Sequence, residues 1–229
     1  MKLSVIIPVY NEQQTIEEIL TRVQAVPLEK EIIVVDDGST DGTRAILKKL
    51  ACKDSCWTNL KILIQEENKG KGAAIRSGLK VATGEVIAIQ DADLEYNPED
   101  YLRLIQPIVS GKARVVYGSR FLTRNYFPPL NWLANKFLTF LVNVFYGSHL
   151  TDMETCYKVF CRQIIKDLYL KSNRFEIEVE LTCKFLLAGI RIYEIPITYT
   201  SRRPAHGKKI GWTDGLMALW CILKYRFCS

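Results

Sequence analysis

Residues 86–95 read Val-Ile-Ala-Ile-Gln-Asp-Ala-Asp-Leu-Glu, an apolar run with strand character that ends in carboxylates at Asp91, Asp93 and Glu95. On an extended backbone alternate side chains share a face, so the three acids can converge just past a strand end. Carboxylates placed together repel one another unless a cation neutralises them. Their hard oxygens suit Mg2+ or Mn2+, ions that commonly bridge to a substrate diphosphate. The same residues also fit a plainer description, a solvated acidic turn before a helix that starts near Asn97 and Pro98. The neighbouring segments separate the two.

Two further polar clusters close apolar runs. Residues 8–12 read Pro-Val-Tyr-Asn-Glu, and residues 36–42 read Asp-Asp-Gly-Ser-Thr-Asp-Gly. Asp37 can accept hydrogen bonds from a base or a ribose hydroxyl, and Tyr10 can cover a base face. A turn followed by a helix cap would use the second cluster equally well. A third segment, Asn-Lys-Gly-Lys-Gly-Ala at 68–73, opens a helix and offers backbone amides and lysines to an anion. It is no dinucleotide fingerprint, because Ile75 takes the third glycine position and the segment follows the third strand, not the first. No phosphate-binding G-x-x-x-x-G-K-[ST] loop occurs.

The elements that must position these clusters alternate. Residues 3–8, 31–36, 60–65, 85–90 and 114–118 have strand character, and 12–26, 42–53, 72–82 and 98–110 have helical periodicity. Such alternation implies an α/β fold, a mainly parallel sheet with helices on both faces. Ligands in such sheets bind outside the carboxyl ends of the strands, which places 8–12, 36–39 and 91–95 on one rim. After Ser119 come a helix at 130–146, a Thr-Asp-Met-Glu-Thr loop, a strand at 157–160 and a helix at 175–188 ended by Gly189. A strand at 190–199, a basic loop at 201–209 and an amphipathic helix at 212–226 complete the pattern. No repeat or low-complexity linker divides the chain, so residues 1–229 are expected to form one domain.

Composition narrows the classes. The 48% hydrophobic content argues for a packed core, and the net charge of +6 suits an anionic ligand or an anionic membrane surface. The cations are not run together as in a nucleic-acid tail, so no nucleic-acid partner is expected. Seven scattered cysteines without paired spacing argue against a zinc site and for reduced thiols in the cytoplasm. No signal peptide precedes the first strand, and the apolar region 127–146 is interrupted by Pro128, Pro129, Asn131, Asn135, Lys136 and Asn143. It falls short of a membrane span but suits a helix lying on a bilayer or against another element.

Taken in order and spacing, the segments 8–12, 36–41, 68–73, 91–95 and Gly118-Ser-Arg120 resemble the family 2 glycosyltransferases of the GT-A, Rossmann-like fold. Within that family the chain looks most like the dolichyl- or polyprenyl-phosphate sugar transferases. The resemblance extends to 152–158, 175–178 and 202–210. It implies that Pro8, Tyr10, Glu12, Val35, Asp37 and Lys71 line a nucleotide-sugar pocket, with Asp91 and Ala92 at the ribose and diphosphate. Asp91, Asp93 and Glu95 would hold Mg2+ or Mn2+, with Asp93 central, and Arg120 would meet phosphate oxygens. Residues 1–120 would then form the nucleotide-sugar half and 121–229 the acceptor half. Two departures stand out: Glu95 replaces a frequent Gln, and Cys156 replaces a Gly, which requires a backbone open to any residue.

The implied reaction moves a hexose, from a GDP-mannose or UDP-glucose type of donor, to a polyprenyl or dolichyl phosphate with inversion. Arg202, Arg203, Lys208 and Lys209 would gather the acceptor phosphate on a closing loop, with Arg202 catalytic. A sugar-hydroxyl acceptor would need a base instead, for which Asp152 is the candidate. Glu176 and Glu178 lie about 200° apart on a helix and are not expected to act as a pair. Residues 130–146 and 216–227 would rest on the cytoplasmic membrane face, with Lys224 and Arg226 near anionic headgroups. Relatives often carry transmembrane helices, so membrane contact here is expected to be peripheral or supplied by a partner subunit. A nucleotidyltransferase would share the acidic sheet rim, but 8–12 lacks its Gly-rich loop with Arg and Lys. A non-catalytic binding subunit would not need the acidic set.

Overall fold

The computed structural model describes residues 1–51, 57–201 and 211–228. Its sheet has the order β3-β2-β1-β4-β6-β5-β7. Strands β1 (Leu3–Val9) and β2 (Lys30–Asp37) are buried throughout, which is why they read as unbroken apolar runs without alternation. They pair in parallel with each other, β1 pairs in parallel with β4 (Val86–Ile89), and β2 with the half-exposed edge strand β3 (Leu60–Gln65). Strand β6 (Lys158–Cys161) runs antiparallel to both β4 and β5 (Val115–Ser119), and β7 (Ile192–Pro196) closes the far edge parallel to β5. Because β6 inserts between β4 and β5, the first and second halves of the chain share one sheet.

Helices α1 (Ile16–Ala25), α2 (Thr43–Leu50) and α3 (Lys71–Val81) follow β1, β2 and β3. The helix expected over 98–110 is instead a 3-10 turn at Pro98–Asp100, then α4 (Tyr101–Leu104) and α5 (Gln106–Val109). Pro107 explains the break. It has no N–H for the carbonyl four residues back, and its ring crowds that carbonyl. Helix α6 (Pro129–Tyr146), α7 (Ile177–Leu187) and α8 (Trp212–Phe227) enclose a second apolar cluster, with Leu138, Val142, Val179, Cys183, Ile222 and Tyr225 buried at its centre. Gly189 takes φ +68°, as the residue beyond the Ala188 C-cap of α7 should.

At the amino-terminal ends of the strands, the buried Glu31 carboxylate accepts from the Ser4 hydroxyl (2.6 Å), the Gly84 amide (3.1 Å) and Lys61 Nζ (2.7 Å). Burial opposes its charge, but these donors prevail and hold its pKa far below the usual carboxylate range. That end of the sheet is therefore closed, and polar side chains gather at the other. The five described cysteines, Cys156, Cys161, Cys183, Cys221 and Cys228, are free thiols, while Cys52 and Cys56 lie outside the described residues. Among the described residues, no helix is long and apolar enough to cross a membrane.

Candidate active site

Pairing direction decides what shares a rim. Strands β1 to β4 are parallel, and β6 reverses twice, so β5 and β7 point the same way as β4. The ends of β1, β2, β4, β5 and β7 and the loop entering β6 therefore lie on one edge. The three rim segments expected from the strand pattern are joined there by Arg120, the 151–157 loop and Tyr199.

The first two segments clip together. Asn11, at φ +51°, accepts from the Thr40 amide through Oδ1 (2.8 Å) and donates its own amide to Ser39 Oγ (3.0 Å). The Glu12 amide donates to Thr43 Oγ1 (2.9 Å), and Thr15 Oγ1 donates to Glu12 Oε2 (2.9 Å). Tyr10 and Glu12 are partly exposed on the rim, whereas Pro8 and Val35 are buried strand partners in register. The Val35 side chain lies under Gly78 of α3, so it belongs to the core beneath the rim.

The glycine-rich segment serves an internal anion. The amides of Lys69 and Gly70 donate to the two oxygens of Asp37 (2.8 Å each), and the Ala73 amide donates to Asn173 O (3.0 Å). Burial still pushes the Asp37 carboxyl up, with those two donors working against it. Gly70 (φ +98°) and Gly72 are needed because residues 172–174 press on them. A Cβ at either would lie within 2.5 Å of a backbone oxygen. Three of the amides expected to face a ligand phosphate, those of Lys69, Gly70 and Ala73, are thus spent on Asp37 and Asn173.

Lys71, the first residue of α3, reaches Asp91 Oδ1 (2.7 Å) and Glu178 Oε1 (2.9 Å). Glu178 Oε2 in turn meets the fully buried Lys158 (2.8 Å), which also donates to Met153 O (2.9 Å). Burial disfavours charge on Lys71 and Glu178, but their oppositely charged neighbours restore it. Lys71 is held well above its ordinary pKa and Glu178 below its own. Sequence reasoning missed Lys158 and Glu178 as a pair, although both stand in the segments that carried the resemblance. Glu176 faces elsewhere, accepting from the amides of Asn173 and Arg174 (3.2 Å each), so the two glutamates do not act together.

The acidic segment is a turn, not an extended continuation of β4. Leu94 has φ +63°, and the Glu95 amide folds back onto Asp93 Oδ1 (3.1 Å). Glu95 Oε2 accepts from the Tyr199 hydroxyl (2.6 Å), and the Thr200 amide donates to Glu95 O (3.0 Å). Asp91 turns to Lys71, and Ala92 is buried between. The alternation argument for convergence therefore fails. Among the described residues, no three His, Cys, Asp or Glu side chains are gathered for a metal ion. The donor chemistry still fits Mg2+ or Mn2+, since these ions take one or two carboxylates and complete their shell with water and substrate phosphate. Asp91 and Asp93, both partly exposed, supply such a pair.

Arg120 and Asp152 occupy each other. Arg120 Nε and Nη2 donate to Asp152 Oδ2 (2.7 Å) and Oδ1 (2.8 Å), and the Arg120 amide adds a third bond (3.0 Å). Both are buried, and the guanidinium lies 5.3 Å from the centre of the Tyr199 ring and 5.8 Å from that of Phe127. In this structure Asp152 is the counter-ion of Arg120. Two residues on, Glu154 has no hydrogen bond among the described residues, and its Oε1 is closed off from water. Burial pushes its carboxyl up to about 7. Cys156 takes the glycine position of the resemblance with no positive φ, so its substitution is accommodated. Arg202, Arg203, Lys208 and Lys209 lie outside the described residues.

The sequence matches the family described as glycosyl transferase family 2 over residues 4–169. It is 30% identical over 220 residues to polyprenol monophosphomannose synthase of Mycolicibacterium smegmatis, covering 90% of this chain and 80% of that protein. It is 32% identical over 224 residues to UDP-N-acetylglucosamine–dolichyl-phosphate N-acetylglucosaminyltransferase of Methanococcus voltae, covering 90% and 89%. In fold it is similar to glucosyl-3-phosphoglycerate synthase of Mycobacterium tuberculosis, whose crystal holds Mn2+, UDP and glucosyl-3-phosphoglycerate. The TM-score is 0.74 at 19% identity over 98% of this chain and 80% of that one. The chain belongs to glycosyl transferase family 2 and is a glycosyltransferase.

Proposed function

We propose that the enzyme moves a hexose from a nucleotide diphosphate sugar to a polyprenyl or dolichyl phosphate at a membrane surface. The relatives named for lipid-phosphate acceptors support this reading, and one observation in the chain carries it. Helix α6 exposes Leu130, Leu133, Phe137, Phe140 and Val144 at spacings of three and four, with Leu130 at 78% and Phe140 at 60%. Leu216, Met217 and Trp220 of α8 are also exposed, and α6 holds no acid and one lysine. Large exposed apolar faces on a folded protein mark contact with a partner or a bilayer. Residues 1–120 serve the donor and 121–229 the acceptor, within one domain.

In this reading Tyr10 and Glu12 border the nucleotide, over a floor that includes Pro8, while Val35 and Asp37 shape the pocket from beneath. Asp91 and Asp93 hold Mg2+ or Mn2+, which when bound neutralises charge on the departing diphosphate. Lys71 holds Asp91 in place from the α3 side. Arg120 and Asp152 fix the end of β5 against the 151–157 loop, and Glu95 anchors Tyr199 at the start of the basic segment. Arg202, Lys208 and Lys209 supply positive charge for the acceptor phosphate. That oxygen is already anionic, so it bonds to the anomeric carbon without a strong base as the sugar–diphosphate bond breaks. The nucleoside diphosphate leaves with the bonding pair and the configuration inverts.

The test is a donor screen with purified protein, Mn2+ and a short polyprenyl phosphate, read by mass spectrometry of the lipid product. A hexosyl-phosphoryl lipid is expected from a guanine or uracil sugar nucleotide. Turnover with a sugar hydroxyl and none with any phosphate acceptor would overturn the lipid assignment.

A further inference from the structure

We infer that the cleft between the carboxyl ends of α6 and α7 binds the headgroup phosphate of an anionic phospholipid, a second anchor to the bilayer remote from the donor site. The inference deepens the membrane contact of the proposed function and rests on it.

The first argument is place. The cleft, of about 950 Å³, is lined by Lys112 and Arg114 before β5, Arg191 and Tyr193 at β7, and Tyr146 and His149 at the end of α6. Strands β5 and β7 are parallel and their carboxyl ends belong to the rim, so the residues that precede them lie at the opposite end of the sheet. Helix α6 joins the two ends. Just before its start, Phe127 stacks on Tyr199 (5.2 Å between ring centres), which bonds Glu95 on the rim. The 18 residues of α6 then span about 27 Å to the cleft. The exposed row of Phe137, Phe140 and Val144 continues one turn on at 147–148, which is cleft wall. A bilayer laid along that row reaches the cleft. The last turn of α8 arrives at the same end: Phe227 packs on Phe145 (5.9 Å) and the Tyr146 hydroxyl donates to Ile222 O (2.7 Å), bringing the exposed Lys224 and Arg226 alongside.

The second argument is an accounting of charge. Among the described residues no carboxylate lines the cleft, while Lys112, Arg114 and Arg191 bring full positive charges and His149 a ring N–H donor. All four side chains are exposed, so a ligand in the cleft can reach them. None of the three cations is in an ion pair among the described residues, and Lys112 lies over the Tyr193 ring, 5.4 Å from its centre. Glu194, the residue after Tyr193, is taken by the amides of Thr151 (2.8 Å) and Asp152 (3.0 Å). The carboxyl ends of α6 and α7 oppose the cations with roughly half a negative charge each. Three full charges outweigh two halves, and the surplus attracts an anion.

The third argument is chemical. A guanidinium forks onto two oxygens of a phosphate, and an ammonium adds a point charge. The apolar row beside the cleft favours a phosphate that carries acyl chains, since a soluble phosphate would gain nothing from Phe140 and Val144. An anchor at each end of α6 fixes the tilt of that helix on the surface, and with it the height of the rim.

The experiment compares wild type with Lys112→Ala/Arg114→Ala/Arg191→Ala and with a control of equal net charge, Lys49→Ala/Lys80→Ala/Lys166→Ala. All six side chains are exposed, so both should melt as wild type does. Arg191→Gln alone, which keeps most of the stem, should show a smaller loss of the same kind. Flotation is measured with vesicles of phosphatidylcholine alone and of phosphatidylcholine with phosphatidylglycerol. Wild type is expected to prefer the anionic vesicles. The cleft variant should lose about tenfold or more of that preference, and the control should keep most of it. An equal loss in the control would reduce the effect to net charge and overturn the proposal. So would a preference that survives in the cleft variant. Calorimetric binding of soluble glycerol phosphate that the cleft variant loses, with flotation unchanged, would make the occupant a free anion and overturn it too. Wild-type flotation without preference between the two vesicles would overturn the cleft and leave the α6 contact standing. Failure of wild type to float on either would overturn both.

Discussion

Arg120 and Asp152, 32 residues apart in sequence, form a buried fork in which both carboxylate oxygens accept from one guanidinium. Removing one partner of such a pair strands the other charge, a cost of about 3–5 kcal/mol. Asp152→Asn is therefore expected to lower the unfolding free energy by that order in urea titrations, and its loss of activity should follow its loss of folded protein. An Asp152→Asn enzyme of wild-type stability that is severely slowed would restore Asp152 as a base.

Asp93 is partly exposed on the turn, where its Oδ1 accepts from the Glu95 amide (3.1 Å), an acceptor that Asn also offers, so Asp93→Asn should spare the fold. Asp93→Asn is expected to weaken Mn2+ binding at least about tenfold, read by electron paramagnetic resonance, and to reduce transfer accordingly. Excess chelator should abolish transfer by wild type. Full activity in Asp93→Asn at limiting Mn2+ would defeat the metal assignment.

Glu180 joins the helices of the second half. It accepts from Tyr225 of α8 (2.6 Å), from Lys184 (2.8 Å) and from the Ser172 amide (2.7 Å). Burial opposes the charge, but these donors bring its pKa down to about 2 from 4.5. A depressed acid stabilises the folded state above its unfolded pKa. The contribution, on the order of 2–3 kcal/mol, should fade as pH falls from about 4.5 towards 2. Glu180→Gln should be less stable than wild type at pH 7, with the gap closing across that interval in denaturant titrations.

Glu154 has the opposite sign. Its pKa is raised by burial to about 7, so its ionisation weighs against folding as pH climbs from about 4.5 to 7 and no further above that. Glu154→Gln is therefore expected to match wild type near pH 4.5 and to exceed its stability at pH 8, by on the order of 2–3 kcal/mol. A Gln variant less stable than wild type at pH 8 would mean that Glu154 has a partner in the fold.

The exposed row on α6 should place the protein on lipid. Phe137→Asp with Phe140→Asp is expected to cut flotation with anionic vesicles several-fold, each charge lying outside the core and leaving the melting temperature nearly unchanged. Equal flotation of variant and wild type would show that this face does not meet the bilayer.

Much of this was legible in the chain itself. Unbroken apolar runs in β1 and β2 marked strands buried on both faces, because such strands have no solvent side to record in their sequence. Strand–helix alternation then placed three polar clusters on one rim, and their order and spacing identified the family. Pro107 carried its own warning that the 98–110 helix would break, although helical periodicity alone passes over it.

Only the tertiary structure decided which charge meets which. The Gly70 and Lys69 amides suit any anion, and proximity assigns them to Asp37, more than thirty residues earlier. Lys71 could have served a phosphate, yet it bridges Asp91 and Glu178, which come from separate elements. Local propensity records the backbone each residue prefers, whereas an ion pair depends on loops brought together by strand order and on the water excluded between them. By the same reasoning the acidic turn at 91–95 could be read as metal-capable from composition. The fold alone divided its carboxylates between Lys71, a local turn and Tyr199, and left Glu154, unremarked in the sequence, without a hydrogen bond among the described residues.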